Sequence, residues 1–524
     1  MATAWELVTI STWWWESDFE LVRGDGKPPF LSKESRWPLT TMGLIESLKP
    51  FGVNFKILVN QFLSQDGLLS QVNIDDLLLG AVANGDVEYM GQYNDASGKF
   101  TISLSDIDLE TRLESSGIKN DGVAVDKMLL KAPVPPQNVD MTDLPLGLDA
   151  VELPHASWHQ KFFTSDQSVA YIGGINFDVL DWDSGDMHVF DPRRMPFEAT
   201  VSARQKVADK EEPSEYPTRR DYMLRAEGPI VVDAMEVFHT RWHDLMASEV
   251  AYSDSASSFG LLEAPDPIGD GVRAQVVTTM PAPYERYEIM ESLLRAIGQA
   301  EDYILIEDQY FRAPILGDAI AKRLVEAPEL VVIAVINPIS EWADPGCWQT
   351  LIELNQLKDA GGARFGVFRL RSFDSYDSGC FFCWDETVGV FSDTFIHSKL
   401  VIIDDIYFQM GSANHNNRGL LFEGEMATVV VDDGWVTAAR HDVASALLGA
   451  SYNQNSDGLG LLQQFVAQSA SNESVYEAWQ DEGMDIDLDG DPLPSTYKPK
   501  GYIYPIPFNV PDECLIEGVG KDIM

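Results

Sequence analysis

One constellation of chemistry-bearing residues occurs twice in this chain. His159, Lys161, Asp166, Gly173 and Asn176, in WHQKFFTSDQSVAYIGGIN, recur at identical spacing as His397, Lys399, Asp404, Gly411 and Asn414, in FIHSKLVIIDDIYFQMGSANHNNR, 238 positions later. A duplicated unit with the same groups at the same offsets points to two half-sites meeting across a pseudo-two-fold axis. Residues 395–403 are almost continuously apolar and β-branched, which predicts a buried strand with positions 397 and 399 on one face. Asp404-Asp405 supplies turn chemistry, and a return strand over 407–411 would bring Ser412 and Asn414 back opposite the histidine.

With 524 residues the chain is long enough for two or more domain-sized units, and its 45% hydrophobic content is ordinary for globular proteins. Its 83 acidic residues against 37 basic ones give a formal net charge of −46. Such a field repels nucleic acid and anionic membranes at long range, so a nucleic-acid partner is not expected. The acidity reads as solubility in a salt-rich setting. Residues 1–16 lack the basic start and cleavage site of an export signal, and no uncharged run reaches the length of a spanning helix. The expectation is a soluble protein, cytoplasmic or exported as an effector by a non-classical secretion system.

Taken in order, TTMGLIESLK reads as a helix and residues 53–59 as an inner strand, and 61–135 loosen into a variable insertion. Residues 181–220, rich in Asp, Arg, Pro and Glu, suit a long loop at the mouth of a site. Met235, Phe238, Trp242 and Leu245 have helical spacing. Clustered Ser, Asp, Pro and Gly at 253–271 make a linker between a first half, 1–252, and a second, 272–524. Strands at 274–278, 303–311 and 329–338 alternate with helices at 287–300 and 316–326. That alternation predicts an α/β fold of two similar α/β/α sandwich halves, with the active site between them.

The paired H-x-K-x4-D segments, with GGIN after the first and GSAN-x-N-x-R after the second, resemble the phospholipase D superfamily. The likeness extends to STWWWESDFELVR, RAEGPIVVDAMEVFHTRW and ILIEDQYF. It implies a phospholipase D that cleaves the headgroup-side phosphodiester of a glycerophospholipid and in some cases transfers it to another alcohol. A phosphatidyltransferase similar to cardiolipin synthase, a nuclease of the superfamily and a silent lipid-binding scaffold are the alternatives. The resemblance assigns nucleophilic attack to His159, with a phosphohistidine intermediate, and proton transfer to His397. Residue chemistry alone gives both imidazoles either role. Lys161, Lys399, Asn176 and Asn414 would hold the nonbridging oxygens. The matching acids that orient the imidazoles are Asp221 and Glu425, with Glu423 competing on the same strand face.

Asp166 and Asp404 sit at predicted turns and, with Gly173 and Gly411, take structural roles. Gly419 stands where the family often has Ser, which puts in question one hydrogen bond near Asn416. Neither metal nor other cofactor is required, and the expected form is a monomer working peripherally at a phospholipid surface.

Other motifs have structural readings. Trp13, Trp14 and Trp15 suit core packing more than an interfacial anchor. Cys380 and Cys383 lack a second pair for zinc. Asp485, Asp487 and Asp489 imitate the start of a calcium loop, but Pro492 interrupts it and Thr496 replaces the bidentate Glu. His155, His188, His239, His243 and His415 have no paired constellation, although His155 and His415 lie close enough to the motifs to line an entrance.

Overall fold

Runs of apolar, β-branched residues set the central strands. Val331–Ile336 and Lys399–Ile403 are buried along their whole length, as strands covered on both faces must be. The computed structural model describes residues 4, 6–61, 87–94, 99–103, 150–154, 156–248, 256–261, 263–269, 271–338, 347–377, 386–481, 485–487 and 498–506. Most of the 61–135 insertion, His155, Cys380, Cys383, Cys514, Asp489, Pro492 and Thr496 lie outside these residues.

The chain is mixed α/β, as expected. A six-stranded sheet runs Val87–Tyr93, Asn54–Gln61, Leu7–Thr12, Lys161–Ser165, Val169–Gly173, Met223–Glu227. Within a larger sheet the same order recurs, from Phe365–Asp377 through Val331–Ile336, Tyr303–Asp308, Lys399–Ile403 and Tyr407–Gly411 to Glu425–Val431. Strand directions agree too, since the first three members of each series are parallel and the rest antiparallel. Each sequence motif is thus one hairpin in the middle of its sheet.

Helices cover both faces. On the first sheet, Ile230–Ala247 packs Val231, Phe238 and Trp242 against Phe162 and Ile172, while Thr41–Leu48 places Met42 and Ile45 on the other side. Truncating Phe238 or Trp242 to Ala would cost roughly 3–5 kcal/mol by the usual core penalty. On the second sheet, Glu288–Ile297 and Pro314–Glu326 cover one face, and Asp433–Leu448 and Gly458–Asp481 the other.

The two sheets are laced by backbone. Trp158 bridges Gly424 in parallel, with His159 N donating to Gly424 O at 2.8 Å and Gly424 N to Ser157 O at 2.9 Å. Arg219–Arg220 pairs in parallel with Phe395–Ile396. This second contact changes one expectation. The strand expected over 395–403 breaks at 397–398, because His397 N and Ser398 N both donate to Arg220 O, at 2.8 and 3.2 Å, instead of continuing the ladder.

Asp485–Asp487, where the calcium-loop imitation begins, is a short strand paired with Glu386–Val388. Among the described residues no helix is long and apolar enough to cross a membrane.

Candidate active site

Both hairpins turn on two residues with positive φ: Asp166 and Gln167 at 51° and 50°, Asp404 and Asp405 at 52° and 56°. That pairing matches the twist of a tight hairpin, and aspartate tolerates the conformation. Their carboxylates tie each turn to the neighbouring strand. Asp166 Oδ1 accepts from Glu6 N at 2.9 Å and Leu7 N at 3.0 Å. Asp404 accepts from the N–H groups of Glu301, Asp302 and Tyr303 at 2.7–2.9 Å. Both aspartates therefore lie at the far end of the hairpin from the histidine.

Gly173 and Gly411 end the return strands, where a Cβ would fall 2.1 Å from Tyr222 O and 2.2 Å from Met426 O. Only glycine admits that approach of the next strand.

The lacing brings each histidine to an acid from the other sheet. His159 Nδ1 lies 2.8 Å from Glu425 Oε1, and His397 Nδ1 lies 2.7 Å from Asp221 Oδ2. Glu423, the competing candidate, instead accepts from Ser157 Oγ at 2.9 Å and Arg418 at 2.7 Å. Ser412 Oγ donates to Glu425 Oε2. At the equivalent place in the first hairpin stands Gly174, where a Cβ would fall 2.3 Å from Asp221 Oδ1. A long acid with a hydroxyl beside it and a short acid packed directly onto a glycine thus reach the same end. With Nδ1 committed to a carboxylate, chemistry falls to Nε2 of each ring.

Lys161 Nζ donates to His159 O at 2.8 Å, and Lys399 Nζ to His397 O. Beyond that the environments differ. Lys399 reaches Gln309 Oε1 at 3.4 Å, whereas Lys161 lies 5.7 Å from the centre of the Trp13 indole, whose ring also stands edge-on to His159. Trp14 and Trp15 are core residues, Trp15 stacking on Phe177.

The asparagines differ too. Asn176 Oδ1 accepts from Thr12 Oγ1, Trp13 N and Trp14 N at 3.1–3.2 Å, and its Nδ2 donates to Asp181 at 2.5 Å. Asn414 Oδ1 is buried without a hydrogen bond. Asn416 Oδ1 accepts from Gly419 N at 2.8 Å, so the glycine supplies a backbone donor there.

Burial governs the electrostatics. It pushes the Asp221 carboxyl up to about 7 and Glu425 well above the carboxylate range, Glu423 adding repulsion. It lowers both imidazoles, and Lys161 and Lys399 lower them further. Lys161 itself falls to about 7, and Lys399 is also lowered. Burial thus disfavours an imidazolium facing a carboxylate in either dyad, and the cations of the site that attract an anion are Lys161 and Lys399. His159, Glu423 and Glu425 place ligand-type atoms within 4.8 Å of one another, the one metal-sized cluster among the described residues. Its members are held by Ser412, Ser157 and Arg418, and two lysines repel a cation there.

Sequence spacing missed several neighbours. Asp181 Oδ1 lies 3.7 Å from His397 Nδ1 and pairs with Arg219, yet no motif marks it. His415 is not at an entrance: it is 2% exposed, beside Asp308. His188 is exposed, and His239 and His243 lie beside each other on the helix Ile230–Ala247, with their rings tilted at 52°.

No family model matches the chain. Over 330 residues it is 25% identical to phospholipase D A of Dictyostelium discoideum, a match covering 53% of this chain and 24% of that one. The chain thus spans about a quarter of that relative's length.

Among solved structures it is similar to the phosphatidylserine synthase of Haemophilus influenzae Rd KW20 at 10% identity, covering 84% of this chain and 80% of that one, with a TM-score of 0.45. It is also similar to Nuc, a phospholipase D family member of Salmonella typhimurium, at 17% identity, covering 42% and 99%, with a TM-score of 0.22. Two buried His-x-Lys hairpins, each completed by an acid from the other sheet, are the features through which the chain, like its sequence relative, resembles the phospholipase D superfamily.

Proposed function

We propose that the protein is a phospholipase D acting on glycerophospholipids, with the two dyads and two lysines as its catalytic apparatus. The observation that carries this reading is the crossed pairing of His159 with Glu425 and His397 with Asp221 around two buried ammonium groups. The arrangement supplies what a phosphodiester needs: cations for its nonbridging oxygens, a nucleophile, and an acid for the alkoxide.

In the first step His159 Nε2 forms a bond to phosphorus while the bond to the headgroup oxygen breaks, and His397 gives its proton to that oxygen. Water then loses a proton to His397 and attacks phosphorus, and the N–P bond breaks to release phosphatidic acid. An alcohol in place of water gives transfer. Acid-base help of this kind accounts for on the order of 10²–10⁴-fold in rate.

Binding and protonation are linked. In the empty site the lysines depress both imidazoles. A bound phosphodiester offsets that charge and lets His397 take the proton it shares with Asp221. The chemistry uses this chain's own side chains and draws on no metal ion. The reading includes a monomer that meets the lipid surface peripherally, and two halves, 1–252 and 272–524, joined by the 253–271 segment.

Headgroup release from mixed phosphatidylcholine and phosphatidylethanolamine vesicles, with a chelator present, tests the reading. Release by the wild type and loss in His159→Ala and His397→Ala are expected, with phosphatidylethanol formed when ethanol is added. Cleavage of plasmid DNA but not lipid would overturn the substrate assignment, and silence on every diester would overturn the activity.

A further inference from the structure

The two half-sites are not equivalent beneath their lysines. Strand Leu7–Thr12 lies beside the first motif strand as Tyr303–Asp308 lies beside the second: Val8 opposite Ser165 matches Ile304 opposite Ile403. Just past these strands, the parallel bridge of Trp15 with Phe177 matches that of Phe311 with His415. Two positions filled by Thr12 and Phe177 in the first half-site are therefore filled by Asp308 and His415 in the second. A hydroxyl and a phenyl ring serve the fold there, so the fold does not demand an ionisable pair.

Asp308 is the cross-strand partner of Lys399 and is fully buried. Its Oδ1 accepts from Tyr310 N at 2.8 Å and His415 N at 3.2 Å. Its Oδ2 lies 3.2 Å from His415 Nδ1, off the line of a good hydrogen bond, and neither atom has a hydrogen-bond partner. Two facing, otherwise unused polar atoms in a dry site are a place for one proton.

We propose that Asp308 and His415 are a positioning pair for Lys399, in which the carboxyl keeps its proton against the imidazole and so leaves the ammonium charge for the phosphate, while ionisation of Asp308 draws Lys399 away from it. The charges facing Asp308 are Lys399 on the neighbouring strand, Arg312 beyond the turn at Tyr310, and His415. Lys399 in turn faces Asp221, Asp181 and Glu425. Burial holds the Asp308 carboxyl up at about 8 and His415 down at about 3, the state the pair requires near neutrality.

This inference rests on the diesterase reading, and two measurements separate their failures. The first is kcat/KM against pH for wild type, Asp308→Asn and the double variant Asp308→Thr with His415→Phe, which carries the first half-site's own residues. The ratio of variant to wild type is expected to be flat below pH 7 and to rise about tenfold per pH unit above 8. A ratio flat to pH 10 would overturn the proposal.

The second is Tm against pH, which needs no activity. A folded carboxyl titrating near 8, against about 4 when unfolded, loses stability as pH rises between those values. The Tm advantage of Asp308→Asn must therefore grow from pH 5 to pH 8 and then level off. A constant difference would show Asp308 ionised in the fold and end the proposal even if no diester is cleaved.

Discussion

His159 and Glu425 stand 266 residues apart in sequence and 2.8 Å apart in space, and the contact follows from backbone. His159 N donates to Gly424 O, so the residue after Gly424 is delivered beneath the ring. On the other side His397 N donates to Arg220 O, and the next residue is Asp221. The strand pairing places the acids before any side chain is chosen.

Replacing either acid by its amide should therefore disable chemistry without unfolding the protein. Asp221→Asn and Glu425→Gln keep shape but leave the imidazole in the wrong tautomer or orientation, and kcat should fall roughly 10²–10⁴-fold. Because both carboxyls are buried and titrate high, the amides should not lower Tm at pH 8. Kinetics and melting on the same samples check this. A fall in Tm that tracks the loss of activity would make the acids structural.

Space beside Asp221 is the next test. Gly174→Ala puts a methyl 2.3 Å from Asp221 Oδ1, so the carboxyl must move off His397. Activity should drop at least tenfold, whereas Ser412→Ala, which removes one donor from Glu425, should reduce it less.

The two motif asparagines should separate into a structural and a ligand-facing residue. Asn176→Ala removes the oxygen that accepts from the buried Trp14 N–H, at a cost of about 1–3 kcal/mol for a buried donor, and Tm should fall. Asn414→Ala loses no hydrogen bond at Oδ1. Its Tm should hold while KM rises. Equal melting shifts in the two variants would contradict the distinction.

Anion binding should weaken as Lys161 loses its proton near pH 7. A dialkyl phosphate, whose single charge is constant over this range, should raise Tm more at pH 6 than at pH 8.5, and the difference should vanish in Lys161→Met. Without ligand the sign reverses: a lysine titrating near 7 when folded and about 10.4 when unfolded binds fewer protons in the fold, so stability gains as pH rises between those values.

The motif spacing carried most of this site, and the limits are physical. His159, Lys161, His397 and Lys399 are local in sequence, and a five-residue strand with a two-residue turn fixes their separation. The alternation of strands and helices likewise carried the α/β class, while the strand order came only with the fold. The break at His397 was not readable, because it depends on Arg220, a residue 177 positions away. Asp181 was invisible for a similar reason: only the folded loop sets it against Asn176, Arg219 and His397. The dissimilar partners of the lysines, Trp13 and Gln309, sit outside the repeated motif, so the repeat implied a symmetry that the side chains do not keep.

Because Ser157–His159 is bonded to Gly424 and Phe395–Ser398 to Thr218–Arg220, neither sheet can be peeled away with a complete dyad. Opening either seam strands one imidazole without its acid and leaves the opposite acid buried without its imidazole. A fragment carrying only one motif therefore cannot retain reduced activity. Proteolytic clipping between the motifs should be harmless while the pieces stay clasped, and total inactivation should coincide with their separation.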